Sequence, residues 1–361
     1  MPSPELTLLD HRPDLKKAAK VADEFGLRTF DLGNRRYLGG KSKLLEFIDA
    51  EMYSALKRRP KSVFDVFAGT GVVANHFASQ GIQVAASDLL QHNYYGLLTF
   101  MGTQRLSLGS LAEKLVHLSN LRGKKNYFSE HFGGTYFSEV NAKKIGAIRD
   151  EIDLIAGGLR EKAALITSLI YAADKVANTV GHYDAFHRRQ NNEAPLELKM
   201  PLICDLLNPE NEVFCQDSTV IASKVKSEVA YMDPPYNSRQ YSDAYHLLEN
   251  LSSWEKPEVL GVAKKMDRSH LKSDFCGRGA PEAFESLVNE LQANVLMVSY
   301  NNTSNSLNAR SNAAISDNDL IDILESRGKV TIREVEFNGF TAGKTKKRKH
   351  TERLFICKVT K

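Results

Sequence analysis

The chain has 361 residues, 42% of them hydrophobic, 25% charged and 9% aromatic, with a formal net charge of +4. That is globular composition with room for one large α/β domain and an insert, or for two domains, and it excludes a chain disordered throughout. No stretch approaches the roughly 18 to 20 apolar residues that cross a bilayer. From Met1 to Lys20 the chain carries acidic residues and lacks an apolar core, unlike a secretory leader. Leu15 to Phe25 has helical periodicity, and Asn34 to Lys43 is a basic, glycine-bearing turn. Leu44 to Leu56 is predicted helical, with Leu45, Ile48, Met52 and Ala55 on one face. Ser62 to Phe67 reads as a buried strand, Val72 to Gln80 as a helix stopped by Gly81, and Ile82 to Ala86 as a second strand ending at Asp88. This β-α-β start predicts a doubly wound sheet.

From Leu97 to about Arg189 the pattern is mostly helical. Strands return at Val213 to Cys215, Val229 to Met232 and Val295 to Tyr300. Val330 to Phe337 and Leu354 to Val359 flank the basic loop GKTKKRKH and suit an antiparallel hairpin at the sheet edge. The expected architecture is a catalytic domain formed by residues 1–96 and 205–361, interrupted by a helical insert at residues 97–204. Cys204, Cys215, Cys276 and Cys357 form no Cys-x-x-Cys pair and lie near no paired histidines. They read as reduced thiols of a cytoplasmic protein, with no metal site.

Four segments carry chemistry. Phe67-Ala68-Gly69-Thr70-Gly71 follows Asp65 and Val66 as a glycine turn between strand and helix, and Asp88 lies 17 residues beyond Gly71. Glycines let the backbone approach a cofactor, and a carboxylate after the next strand can accept ribose hydroxyls. Alone, Gly69-x-Gly71-x-x-Ala74 also satisfies a nicotinamide-dinucleotide fingerprint, and a ligand-free β-α turn would look the same. Asp233-Pro234-Pro235-Tyr236 directly follows an apolar run. Its prolines stiffen the chain past the strand end, leaving carbonyls, a carboxylate and an aromatic face. An exocyclic amine on a planar base needs those groups: acceptors for two N–H groups and a stacking surface. Arg36-Tyr37-Leu38-Gly39-Gly40-Lys41 could by itself be a solvated turn, and Asp217 could be a helix cap.

Together, in the order Gly39-Gly40-Lys41, FAGTG, Asp88, Asp217 and DPPY, these segments resemble the S-adenosylmethionine-dependent DNA adenine-N6 methyltransferases of the Dam-like, or alpha, group. DPPYNSRQYSDAYHLLE and ADKVANTVGHYDAF resemble the branch containing modification methylases of restriction systems. The resemblance runs from about Arg36 to Val359. This chain has Gln216-Asp217-Ser218 where that family often has Gly-Asp-Phe.

The resemblance implies a Rossmann-like methyltransferase sheet, S-adenosylmethionine as cofactor, double-stranded DNA as substrate and a cognate restriction endonuclease as partner. It implies Tyr37 and Lys41 near the cofactor, with Lys41 also close to the target base. Phe67, Gly69 and Gly71 would lie along the methionine and ribose, Asp88 on the ribose hydroxyls and Asp217 on the cofactor adenine. Asp233 and the Pro234 carbonyl would accept the N6 hydrogens of a flipped adenine, Pro235 would stiffen the turn, and Tyr236 would stack on the base. Arg239 and Gln240 follow closely enough to hold phosphates, and Lys346, Lys347 and Arg348 form a second basic patch. A cytosine-N4 or ribosomal-RNA base methyltransferase, and a catalytically silent DNA-binding protein on the same scaffold, remain as alternatives. The nicotinamide reading leaves DPPY idle.

Overall fold

The computed structural model describes residues 13–35, 37–189, 192–204, 207–236, 238–301, 313–338 and 349–360. The chain forms two compact units. One comprises Met1–Gly39, Leu90–Val213 and Tyr241–His270, and the other Gly40–Leu89, Phe214–Gln240 and Leu271–Lys361. Among the described residues no helix is long and apolar enough to cross a membrane. None of the four cysteines forms a disulfide; Cys215 is exposed and the other three are buried.

The second unit is built on a seven-stranded sheet, counted among the described residues. Its strands are β1 (Ser62–Asp65), β2 (Gln83–Asp88), β3 (Glu212–Cys215), β4 (Lys226–Met232), β5 (Gln292–Ser299), β6 (Gly328–Asn338) and β7 (Lys349–Val359). Their spatial order is β3-β2-β1-β4-β5-β7-β6. β2, β1, β4 and β5 pair in parallel, with Asp65 beside Tyr231 and Met232 beside Val298. β7 runs antiparallel to β5, placing Leu354 opposite Ser299, and β6 completes the edge hairpin from Gly328↔Val359 to Asn338↔Lys349. The order 3-2-1-4-5 is that of a doubly wound sheet, in which ligands bind beyond the carboxyl ends of the parallel strands near the reversal between β1 and β4.

Apolar runs explain the interior position of β1, β4 and β5. Phe64, Val66, Met232, Leu296, Val298 and Phe355 are buried in one core with Phe284, Leu287, Leu320 and Leu324 from the helices Ala280–Glu290 and Asp317–Glu325. The crossover helix Val72–Ala78 starts at Gly71, whose φ of +87° lies in the left-handed region that glycine enters without a Cβ clash. Sequence periodicity located all of these strands. It missed the amino-terminal part of β7, where charged residues interrupt the apolar pattern.

The first unit is mainly helical. Gln91–Met101 and Leu159–Val176 pack together with Thr99 Oγ1 and Thr167 Oγ1 2.9 Å apart, and Glu139–Ile155 lies against Leu159–Val176. A short parallel pair, Thr29–Phe30 with Met200–Pro201, closes one side. Gly39 ends the first segment of this unit with φ +76°, a left-handed conformation that favours glycine, and a Cβ there would also come 2.9 Å from Tyr241 Oη at the end of its side chain.

Candidate active site

The sheet unit gathers its candidate functional side chains at the carboxyl edge of the parallel strands. Asp65 closes β1, Asp88 closes β2, Asp233 follows β4 and Ser299 closes β5. Because β7 runs the other way, Glu352, two residues before the partner of Ser299, lies at the same edge. These polar residues therefore share an edge because strand polarity puts them there.

Lys41 enters this edge from the turn before the short 3₁₀ segment Ser42–Leu44. Its ammonium is 3.0 Å from Asp233 Oδ1 and 3.2 Å from Glu352 Oε1. Ser299 Oγ donates to the same Glu352 oxygen at 2.5 Å. Burial alone would lower the Lys41 pKa, but the carboxylates of Asp233 and Glu352 outweigh it and hold the ammonium charged far above neutral pH. For Asp233, burial pushes the carboxyl up, Lys41 draws it back and Glu352 repels it, leaving its pKa at about 6. At neutral pH it is ionised, yet it binds a proton far more readily than an ordinary aspartate.

Downstream, the Tyr236 ring stands edge-on to Tyr300 with centroids 6.3 Å apart, and its carbonyl accepts from Ala314 N at 2.8 Å. Burial raises the Tyr236 pKa, so the hydroxyl is neutral. Arg239 is exposed. Gln240 makes a two-bond ring with the Ser273 backbone, donating to its carbonyl at 3.0 Å and accepting from its amide at 2.8 Å. That ring ties the loop after DPPY to Ser273, within the same unit.

The glycine turn is fixed from two sides. Asp88 Oδ2 accepts from Gly69 N at 2.9 Å, and Asp65 Oδ2 accepts from Ala74 N at 3.0 Å. Gly69 and Gly71 both have positive φ, at 54° and 87°. Phe67 packs edge-on to Phe275, centroids 5.0 Å apart. Ser87 Oγ donates to Gln216 O at 3.1 Å, joining the tip of β2 to the loop that carries Asp217. Asp217 Oδ1 caps the short helix Ser218–Ile221 by accepting from Thr219 N at 2.8 Å.

These surroundings suit S-adenosylmethionine. A bare glycine backbone and the Phe67 ring offer close approach and an apolar wall, and the half-buried Asp88 offers a charged acceptor for hydroxyls. Asp65 Oδ1 is a buried oxygen beside the turn with no hydrogen-bond partner among the described residues. Burial, followed by the nearby Asp233 and Asp88 charges, raises the Asp65 pKa to about 8 against the opposing bond from Ala74. It is therefore a neutral carboxyl at pH 7, able to donate a hydrogen bond.

Tyr37 belongs to the helical unit. It stacks on Tyr245 with centroids 4.8 Å apart, accepts from Asn93 Nδ2 at 2.9 Å and lies under the Arg35 guanidinium. Lys346, Lys347 and Arg348 lie outside the described residues. Glu352 and Ser299 belong to no motif in the sequence, and Asp65 stands there only as the first letter of one. The weak signal for Glu352 was an acidic residue entering the apolar run Leu354 to Val359, where a strand pairing inward has no ordinary use for a charge.

Comparison with known proteins agrees with this geometry. Residues 37–301 match the model of the D12 class N6 adenine-specific DNA methyltransferases. The chain is 30% identical over 346 residues to modification methylase StsI of Streptococcus sanguinis, covering 89% of this chain and 51% of that protein. It is 29% identical over 329 residues to type II methyltransferase M.NlaIII of Neisseria lactamica, covering 87% of this chain and 95% of that protein. It is 28% identical over 288 residues to type II methyltransferase M.FokI of Planomicrobium okeanokoites, covering 73% of this chain and 44% of that protein. The chain thus spans about half of the StsI and FokI methylases and nearly all of the NlaIII methylase. With the sheet order, the glycine turn and the DPPY edge in place, the match over residues 37–301 makes this chain a member of the D12 class of N6 adenine-specific DNA methyltransferases, which use S-adenosylmethionine as methyl donor.

Proposed function

We propose that the protein methylates N6 of an adenine flipped out of duplex DNA at a specific sequence, as the modification enzyme of a restriction system. The observation that carries the reading is the Asp233 carboxylate, half-buried beyond β4 and held 3.0 Å from Lys41 with Tyr236 three residues on. The curated relatives are modification or type II methylases by name, which supports the restriction context and a cognate endonuclease as partner.

S-adenosylmethionine, when bound, supplies an electrophilic methyl group on a sulfonium. The chain's own residues prepare the amine. An adenine N6 lone pair is delocalised into the ring and is a poor nucleophile. Asp233 and the Pro234 carbonyl accept its two hydrogens, favouring a more tetrahedral nitrogen with a localised lone pair. Asp233 also balances positive charge that develops on N6. Pro235 keeps the turn stiff, and Tyr236 stacks on the base. Phe67, Gly69 and Gly71 line the cofactor, Asp88 holds its ribose hydroxyls, Asp217 its adenine, and Tyr37 and Lys41 border it. Arg239 neutralises a phosphate, with Gln240 shaping the loop that presents it, and Lys346, Lys347 and Arg348 add a sequence-independent contact.

In this reading residues 1–96 and 205–361 form the catalytic part, and the helical residues 97–204 read the target sequence. Cysteines held as thiols and the DNA substrate favour work in the cytoplasm. The test is incubation with labelled S-adenosylmethionine and either unmethylated genomic DNA or RNA, followed by nucleoside analysis. N6-methyladenine in DNA is expected. Only N4-methylcytosine, or label confined to RNA, would overturn the reading.

A further inference from the structure

We propose that Glu352 is a positioning residue for methyl transfer: from β7 it restrains the Lys41 ammonium, so that Asp233 is oriented by Lys41 without being closed off from the substrate amine. The inference rests on Asp233 being the amine acceptor and adds to that site a residue distant in sequence.

Three side chains meet in this cluster, and all are poorly exposed: 9% for Lys41, 19% for Asp233 and 4% for Glu352. An ammonium has three donors. One points to Asp233 Oδ1 at 3.0 Å and another to Glu352 Oε1 at 3.2 Å. Glu352 is itself held, because Ser299 donates to the same oxygen. In a poorly solvated site an unrestrained lysine would be drawn fully onto Asp233 and compete with any incoming donor. Glu352 pulls from the other side and leaves the ammonium shared.

Charge gives a second reason. Two carboxylates face one ammonium, so the cluster carries surplus negative charge. The neighbours that also face Asp233 do not cancel it. Tyr231 and Tyr236 are kept neutral by burial, and Asp65, with its pKa near 8, is mostly protonated at pH 7. Of the two carboxylates Asp233 is the more exposed, so the unmet demand for hydrogen-bond donors is presented there. An amine with two hydrogens and growing positive charge meets that demand. A buried glutamate on an interior strand has no stabilising purpose of its own, since Lys41 and Asp233 would already balance.

The experiment compares pH–rate profiles, cofactor KM and melting temperature for the wild type, Glu352→Gln and Ser299→Ala, using a DNA duplex containing the target. In Glu352→Gln the neutral-pH kcat should fall on the order of tenfold, the scale of one charge-assisted hydrogen bond. The KM for S-adenosylmethionine should stay within about twofold. The acid limb, set near pH 6 by Asp233 in the wild type, should move to lower pH, because the repelling charge is gone and Lys41 is released onto Asp233. Ser299→Ala should do the same more weakly. A folded Glu352→Gln enzyme with wild-type kcat and an unmoved limb overturns the proposal. So does a kcat that falls only in step with melting temperature while the limb stays. Should Glu352→Gln not fold, the Ser299→Ala limb decides in the same way. Failure of the site reading looks different: Asp233→Ala would then remain active.

Discussion

Arg35 in the helical unit and Lys41 in the sheet unit are both buried cations, six residues apart in sequence, with different company. Arg35 Nε bonds Asp174 Oδ2 at 2.9 Å, Tyr183 donates to the other oxygen of Asp174, and the rings of Tyr37 and Tyr245 cover the guanidinium. Burial would lower the Arg35 pKa, but Asp174 and the surrounding tyrosines raise it. Arg149, in the same unit, is matched in the same manner by Asp153 and the carbonyls of Leu251 and Ser252. Lys41 instead faces two carboxylates, with the mostly protonated Asp65 nearby. Buried charge that serves the fold is matched within the chain. At the sheet edge the imbalance is left open, and in the proposed reaction the hydrogens of the substrate amine would complete it.

The strongest way to break this comparison is to delete one carboxylate from each unit. Asp233→Ala should abolish methylation while changing stability by less than about 1 kcal/mol, because burial already disfavours that charge and Lys41 keeps Glu352. Asp174→Ala should instead cost about 3–5 kcal/mol, because it strands Arg35 without its counter-ion. Denaturant melts paired with turnover assays check both. A folded Asp233→Ala enzyme with near-normal turnover would end the mechanism.

Asp88 comes next. Asp88→Ala removes both the proposed ribose acceptor and the anchor of Gly69 N, so cofactor affinity should fall by about 2–3 kcal/mol. Asp88→Asn keeps an acceptor for Gly69 and should lose less. Calorimetry showing unchanged cofactor affinity in both variants removes Asp88 from the site.

Tyr236 separates capture from chemistry. Tyr236→Ala should weaken binding of a duplex with 2-aminopurine at the target by about 1–3 kcal/mol, the worth of one stacked base. Tyr236→Phe keeps the ring and should retain most activity. Equal loss in both variants would mean the hydroxyl matters, against its neutral, half-buried setting.

The parts of this protein legible in sequence are those encoded locally. Apolar runs placed the strands, Gly69 and Gly71 placed the turn, and DPPY placed a carboxylate and an aromatic ring beside a strand end. Glu352 was hidden because its meaning depends on strand polarity: only antiparallel pairing of β7 with β5 brings it to the edge that holds Asp233. Asp65 was half legible. Its position opens the glycine motif, but its neutral state at pH 7 follows from burial that no local pattern reveals. The Tyr37–Tyr245 stack joins segments more than 200 residues apart and was likewise invisible. The Lys41–Asp233 contact was foreshadowed only through family resemblance, which put the lysine near the target base.

Asp217 tests the comparison at its finest, since it sits at the sheet edge yet behaves like a structural residue. Its Oδ1 is engaged by Thr219 N and Thr219 Oγ1, which satisfies the start of a four-residue helix. Asparagine caps about as well as aspartate, whereas alanine loses about 1 kcal/mol of cap stability. Asp217→Asn should therefore leave melting unchanged, and Asp217→Ala should lower it slightly. Cofactor binding separates the two roles. If the carboxylate also accepts from the amino group of the cofactor's adenine, both variants weaken S-adenosylmethionine, and Asp217→Asn does so with no loss of stability. If Asp217 only caps, Asp217→Asn binds the cofactor as the wild type does, and recognition of the cofactor adenine falls to the other residues along the tips of β2 and β3.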